Sequence, residues 1–180
     1  MRTDYPRHLP TFDYLGPHRY VLTFCTADRH RAFTEAATVD LVRGQFLRAA
    51  DRHLFALLAY CFMPDHVHLL AEGTREESYL KAFQSAAKQY SGFHYQAQFG
   101  RALWQRYGFE RALRSEESTI GVVRYILANP VRVGLARRVD EYSFSGSSVF
   151  SMEQLMDGVQ GSGESRTPRL NGLAKPRHYE

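Results

Sequence analysis

Apolar and polar positions break the middle of the chain into stretches of two different periods. Tyr20 to Thr26 (YVLTFCT) is rich in β-branched and aromatic residues and reads as a strand. From Thr38 to about His53, apolar residues recur at Val39, Val42, Phe46 and Ala49 or Ala50, which is one face of a helix; Gly44 lies inside it. Leu54 to Met63 (LFALLAYCFM) is a nearly continuous apolar run of strand length, as expected of a central strand buried on both faces. Pro64-Asp65 supplies turn chemistry, and His66 to Ala71 (HVHLLA) returns as the partner strand of a tight hairpin.

Thr74 with Glu77 three residues later forms a candidate capping box for a second helix, with Tyr79 or Leu80, Phe83, Ala86 or Ala87, and Tyr90 as its stripe and an end near Gly92. The aromatic content of Tyr107 to Arg114 predicts a fourth strand. A third helix should start at Ser115, carry Glu116 and Glu117 in its first turn, bury Ile120, Val123 and Leu127, and stop at Asn129 before Pro130. The order strand, helix, strand, strand, helix, strand is the ferredoxin-like βαββαβ pattern of the α+β class. It predicts an antiparallel sheet with helices on one face, followed by the helix that bears Tyr125. Flanking segments differ in character: residues 1–18, with Pro6, Pro10 and Pro17, read as an extended basic arm, and 151–180, rich in Gly, Ser, Pro and Arg, as a flexible tail. The domain between them is 19–150.

With 180 residues, 44% of them hydrophobic, the chain suffices for one core and is short for two. No run approaches the roughly 18 to 20 apolar residues that span a bilayer, so a cytoplasmic protein is expected. Cys25 and Cys61 sit in apolar runs at no common zinc or redox spacing and read as buried reduced thiols. A formal charge of +4 is compatible with a polyanionic partner but does not require one. Position says more than the total. From Arg101 to Arg138 there are eight arginines against three acids, a local excess of +5.

Two histidines one residue apart on a strand point to the same side, so His66 and His68 can present imidazoles to one ion while Val67 and Leu69 face apolar packing. A solvent-facing pair on a half-exposed sheet fits the spacing as well. In the third helix Val122, Val123, Ile126, Leu127 and Ile120 cover one arc, which leaves Tyr125 off the core. Asn129, four residues on, reaches the same small region. An amide oxygen beside two imidazoles suits Mn²⁺ or Mg²⁺; a surface tyrosine and an ordinary helix end are the plainer alternatives.

The stretch Met63-Pro64-Asp65-His66-Val67-His68-Leu69-Leu70 resembles the His-hydrophobic-His signature of the IS200-like single-tyrosine transposases. Tyr125-Ile126-Leu127-Ala128-Asn129-Pro130-Val131-Arg132-Val133-Gly134-Leu135 resembles their nucleophile helix, closest to the REP-associated tyrosine transposases. Trp104-Gln105, Glu110-Arg111, Arg114 and Tyr142-Ser143-Phe144-Ser145 extend the likeness over about 19–150; Asp65 stands where many relatives carry another polar residue. The resemblance implies that Tyr125 attacks a phosphodiester of single-stranded DNA to give a 5′-phosphotyrosine link, that His66, His68 and Asn129 hold a divalent metal, Mg²⁺ or Mn²⁺, and that the last helix is catalytic. It implies hairpin DNA as partner, a nucleoid-associated location, and a monomer or homodimer. Trp104, Arg106, Arg111, Arg114, Arg124 and Arg132 are the candidate DNA-binding residues, with Trp104, Tyr107 and Phe109 as stacking surfaces; core packing competes for Trp104. Two other readings exist. A histidine-triad hydrolase would need a third histidine where Leu70 stands, and a catalytically silent DNA-binding protein would not need His66, His68, Tyr125 and Asn129 together.

Overall fold

The two-residue turn at Pro64-Asp65 forces the runs on either side into register, so that Met63 lies opposite His66 and Phe62 opposite Val67. The computed structural model describes residues 14–113 and 118–161. Around this hairpin, β1 (Arg19–Cys25), β2 (Phe55–Met63), β3 (His66–Gly73), β4 (Phe109–Ala112) and β5 (Ser145–Gly146) form one sheet in the order β4-β1-β3-β2-β5. Every neighbouring pair is antiparallel. Helix α1 (Ala36–Arg52) connects β1 to β2, and α2 (Leu80–Phe99) connects β3 to β4, which is the expected βαββαβ order. Three helices follow β4: α3 (Thr119–Leu127), α4 (Asn129–Arg132) and α5 (Met152–Gly161).

Period-two alternation distributes the strands' side chains between two cores. On one face Leu22, Phe24, Phe62, Val67 and Leu69 pack under Val42, Phe46, Leu80 and Phe83 of α1 and α2. On the other, Val21, Cys61, Met63 and Leu70 pack under Val122, Ile126 and Leu127 of α3 and Leu155 of α5. A bulge between Leu57 and Ala59 gives this second face two successive residues, Leu58 and Ala59. The central strands are therefore covered on both sides, α1 and α2 on one and the Tyr125 helix on the other. Cys61 is buried as expected, whereas Cys25, at the end of β1, is only partly so.

Several boundaries differ from the expected ones. The hydroxyls of Thr74 and Ser78 donate to the Leu54 carbonyl at 3.0 and 2.6 Å instead of capping a helix, so α2 starts at Leu80. It also runs through Gly92 to Phe99, where Gly100 at φ 68° ends it; Trp104 packs 3.6 Å from the position a Cβ on Gly92 would take. Ser118 caps α3 by accepting from the Gly121 N–H at 3.1 Å, while the expected cap at Ser115 lies outside the described residues. Ile120, expected to be buried, is 41% exposed. Pro130 does not stop the helical path: it occupies the first turn of α4, where its missing N–H removes no intrahelical bond.

Residues 152–161 form α5 where a flexible tail was expected. Met152, Leu155 and Val159 are spaced three and four apart and pack on the second core, and the Arg124 guanidinium donates to the Val159 carbonyl. Residues 162–180 and the arm as far as residue 13 lie outside the described residues. Among the described residues no helix is long and apolar enough to cross a membrane.

A Cβ on Gly73 would stand 2.3 Å from the Gly16 carbonyl oxygen and 2.8 Å from Ser78 Cβ. Gly73→Ala is expected to lower stability by about 1–3 kcal/mol in urea melts, as overpacking does. Gly44→Ala is the control: its added carbon meets nothing within 4 Å, and in a helix interior it should stabilise by up to about 1 kcal/mol.

Candidate active site

His66 and His68 open β3 on the face covered by α3, and both are buried, 2% and 1% exposed. Their Nε2 atoms face each other at 3.0 Å. Each Nδ1 is engaged behind: His66 Nδ1 lies 2.6 Å from Asp65 Oδ1, and His68 Nδ1 lies 2.9 Å from Thr23 Oγ1. Thr23 is directly opposite His68 in the β1–β3 register. Asp65 Oδ2 in turn lies 2.9 Å from Arg29 Nε. Burial, followed by the electrostatic influence of His66, Arg29 and Arg132, holds the His68 imidazole well below the usual histidine range, with only Asp65 pulling the other way. His68 is therefore neutral at pH 7, the form in which imidazole binds metal.

Helix α3 packs across β2 and β3, and α4 continues from it over β2. Tyr125 is half-buried at the edge of the second core, and the Arg132 guanidinium stands 4.9 Å over its ring. The charge of Arg132 also bears on His68. Asn129 is buried; its amide nitrogen donates to the Tyr125 and Ile126 carbonyls at 2.9 and 3.3 Å. That leaves Oδ1 as its side-chain acceptor.

The histidine pair fits a divalent ion. At metal–nitrogen distances of about 2.1 Å, two ligands at right angles stand roughly 3.0 Å apart, which is the Nε2 separation found. Both Nδ1 atoms have the carboxylate or hydroxyl partner that metal-bound histidines characteristically have. Among the described residues no group of three or more His, Cys, Asp or Glu side chains gathers for a metal, and Asp65 is already held by His66 and Arg29. Two imidazoles and an amide are neutral ligands. An ion held this way keeps its full charge for an anionic ligand.

The five candidate DNA-binding residues that are described do not form one surface. Trp104 is half-buried and packs against the first core: its ring lies 6.0 Å from Phe24 and 5.7 Å from both Phe33 and Phe46, and its indole N–H donates to Ser91 Oγ at 2.8 Å. Arg106 is exposed, with its guanidinium 5.4 Å over the ring of Tyr107, which is itself 63% exposed. Arg111 stands opposite Val21 in β4 and so on the face that carries the histidines. Arg124 is occupied by Val159, Arg132 lies over Tyr125, and Arg114 lies outside the described residues. Lys88 donates to the Gln105 and Arg106 carbonyls at 2.7 and 3.0 Å and anchors the loop before β4.

Thr23, Arg29 and Asp65 escape a reading of the sequence, although one sign of Thr23 is present there: it is the polar position inside YVLTFC. Arg29 has none, since its contact with Asp65 crosses 36 positions.

The family model described as "Transposase IS200 like" matches residues 16–129. A Haemophilus influenzae protein named as a REP-associated tyrosine transposase is 25% identical over 144 residues, covering 74% of this chain and 81% of the relative. Among solved structures, a REP-associated tyrosine transposase bound to a REP hairpin superposes with a TM-score of 0.65 at 20% identity, covering 80% of this chain and 82% of the other.

The neutral His68 has a consequence for stability. Its folded pKa is depressed while in the unfolded chain it protonates near about pH 6.5, so the unfolded state binds more protons once pH drops below that value. Stability of the metal-free protein is fully present above about pH 6.5 and declines as pH falls through it, by at most about 1.4 kcal/mol per pH unit for one proton. Urea melts at descending pH should show a weaker dependence in His68→Gln; equal dependence in the two proteins would remove His68 as its source.

Proposed function

Since the chain belongs to the IS200-like transposase family, we propose that it is a metal-dependent single-stranded DNA endonuclease and strand transferase that cleaves and rejoins DNA at hairpin repeats. The observation that carries the reading is the buried His66–His68 pair, its Nε2 atoms 3.0 Å apart, on the sheet face covered by the helix that bears Tyr125. The hairpin in the structure of the fold relative suggests the class of DNA.

Tyr125 Oη attacks the phosphorus of one phosphodiester; the bond to the 3′-oxygen breaks, leaving a free 3′-hydroxyl and a 5′-phosphotyrosine. A later 3′-hydroxyl attacks the phosphotyrosine and releases the phenol, so the number of phosphodiester bonds is conserved. A phenol has an ordinary pKa of about 10 and needs activation at neutral pH. His66, His68 and Asn129 Oδ1 are the groups that would hold Mg²⁺ or Mn²⁺, and the bound ion supplies positive charge to the phenolate and the phosphoryl oxygens. Arg132 orients the phenol ring from above, a cation–π contact worth roughly 0.5–2 kcal/mol. Arg106 and Arg111 are the phosphate contacts, and the exposed Tyr107 ring is the stacking surface.

The experiment is a denaturing gel of the protein incubated with 3′-end-labelled hairpin DNA, with and without Mn²⁺ or Mg²⁺. A covalent band is expected that needs metal and vanishes in Tyr125→Phe. A gel shift on the same DNA without any such band would instead identify a catalytically silent DNA-binding protein.

A further inference from the structure

The two histidines are not held in equivalent ways. Thr23 Oγ1, 2.9 Å from His68 Nδ1, belongs to a hydroxyl that both donates and accepts, so it accommodates either tautomer. Asp65 does not. An ionised carboxylate only accepts, so its 2.6 Å contact with His66 Nδ1 requires a proton on Nδ1, and of the two neutral tautomers it selects the one with a lone pair on Nε2, the atom that faces the site. We propose that Asp65 is a positioning residue, held by Arg29, which fixes His66 in the Nδ1–H tautomer and thereby makes its Nε2 a ligand.

Asp65 is built into this role beyond what a turn residue needs. It is 2% exposed, and its backbone carbonyl accepts from both the N–H and the hydroxyl of Thr26, at 3.0 and 2.9 Å, which pins the turn to the end of β1. Its second carboxylate oxygen lies 2.9 Å from Arg29 Nε. Arg29 is brought back by an abrupt bend: Asp28 and Arg29 both adopt left-handed backbone conformations, φ 52° and 55°, which L-residues rarely adopt. The same guanidinium reaches Cys25 Sγ at 2.7 Å, so the arginine is fixed from two sides.

The arrangement dictates what an amide would do at this position. Arg29 donates, so an asparagine would turn its oxygen toward Arg29 and its NH₂ toward His66. Nδ1 would then have to accept, and the proton would move to Nε2. An isosteric substitution therefore switches the tautomer without removing either partner.

The test compares the wild type with Asp65→Asn, Arg29→Lys and His68→Ala, using ¹⁵N–¹H correlation of the imidazoles in the metal-free protein and Mn²⁺ titration followed by electron paramagnetic resonance. The wild type should show His66 protonated at Nδ1, and Asp65→Asn should show it protonated at Nε2. The Mn²⁺ dissociation constant should rise by about 10–100-fold in Asp65→Asn, the usual effect of losing a partner behind a ligand. Cleavage should return at saturating Mn²⁺, and metal-free binding of hairpin DNA should not change. Arg29→Lys keeps the charge and loses the fixed fork; it should shift the same two readouts less, and it decides the matter if Asp65→Asn does not fold. Unchanged tautomer and Mn²⁺ affinity in the folded variants would overturn the proposal. The Mn²⁺ readout rests on the metal-binding reading of the site. If the wild type binds Mn²⁺ no better than His68→Ala, that reading fails, and the tautomer in the metal-free protein alone decides the role of Asp65.

Discussion

The structure depends on β3 being covered on both faces. A strand in that position has no water on either side, so every polar group it carries must find a protein partner or a ligand. Val67 and Leu69 meet the requirement by being apolar. His66 and His68 meet it at Nδ1 through Asp65 and Thr23, and their Nε2 atoms meet across 3.0 Å. Two imidazoles sharing this space need a proton or a cation between them. That requirement, together with the phenol and arginine on the covering helices, is what turns a packing arrangement into a site.

The covering helices satisfy two needs at once. α3 supplies Val122, Ile126 and Leu127 to the second core, and the same helical turn carries Tyr125 at its margin. Burial is thus responsible for where the phenol sits, and Arg132 for how its ring is held. α5 is part of the same layer, since it contributes Leu155 to the core and accepts the Arg124 guanidinium through Val159. The arginine-rich stretch is accordingly divided in purpose: the Val159 carbonyl of α5 engages Arg124, and Arg132, itself exposed, covers the Tyr125 ring, while Arg106 stands at the surface over Tyr107.

Much of the fold is legible in the sequence because its central elements are strongly periodic. The apolar run from Leu54 to Met63 and the alternation from His66 locate β2 and β3 to within about two residues, and period two alone puts both histidines on one side. Capping and ends are less legible. Thr74 matches a capping box, but the competing acceptor at the Leu54 carbonyl, supplied by the end of the preceding hairpin, takes its hydroxyl. α5 is hidden by the Gly and Ser around it, although Met152, Leu155 and Val159 have helical spacing. Trp104 shows the limit for the site: its place among Phe24, Phe33 and Phe46 is set by contacts far apart in sequence. The partners of His66 and His68 are hidden for the same reason, since strand register and a bent loop bring them in.

One hydrogen bond gives the site an economy of moving parts. Asn129 donates its amide to the carbonyl of Tyr125 itself, at 2.9 Å. The residue proposed as nucleophile and the one proposed as third ligand are therefore joined through the main chain of a single helical turn. Any tilt of that turn displaces the phenol and the amide oxygen together. Approach of the nucleophile and engagement of the ligand form one coordinate, and the histidines on the rigid sheet are the fixed frame against which it is measured.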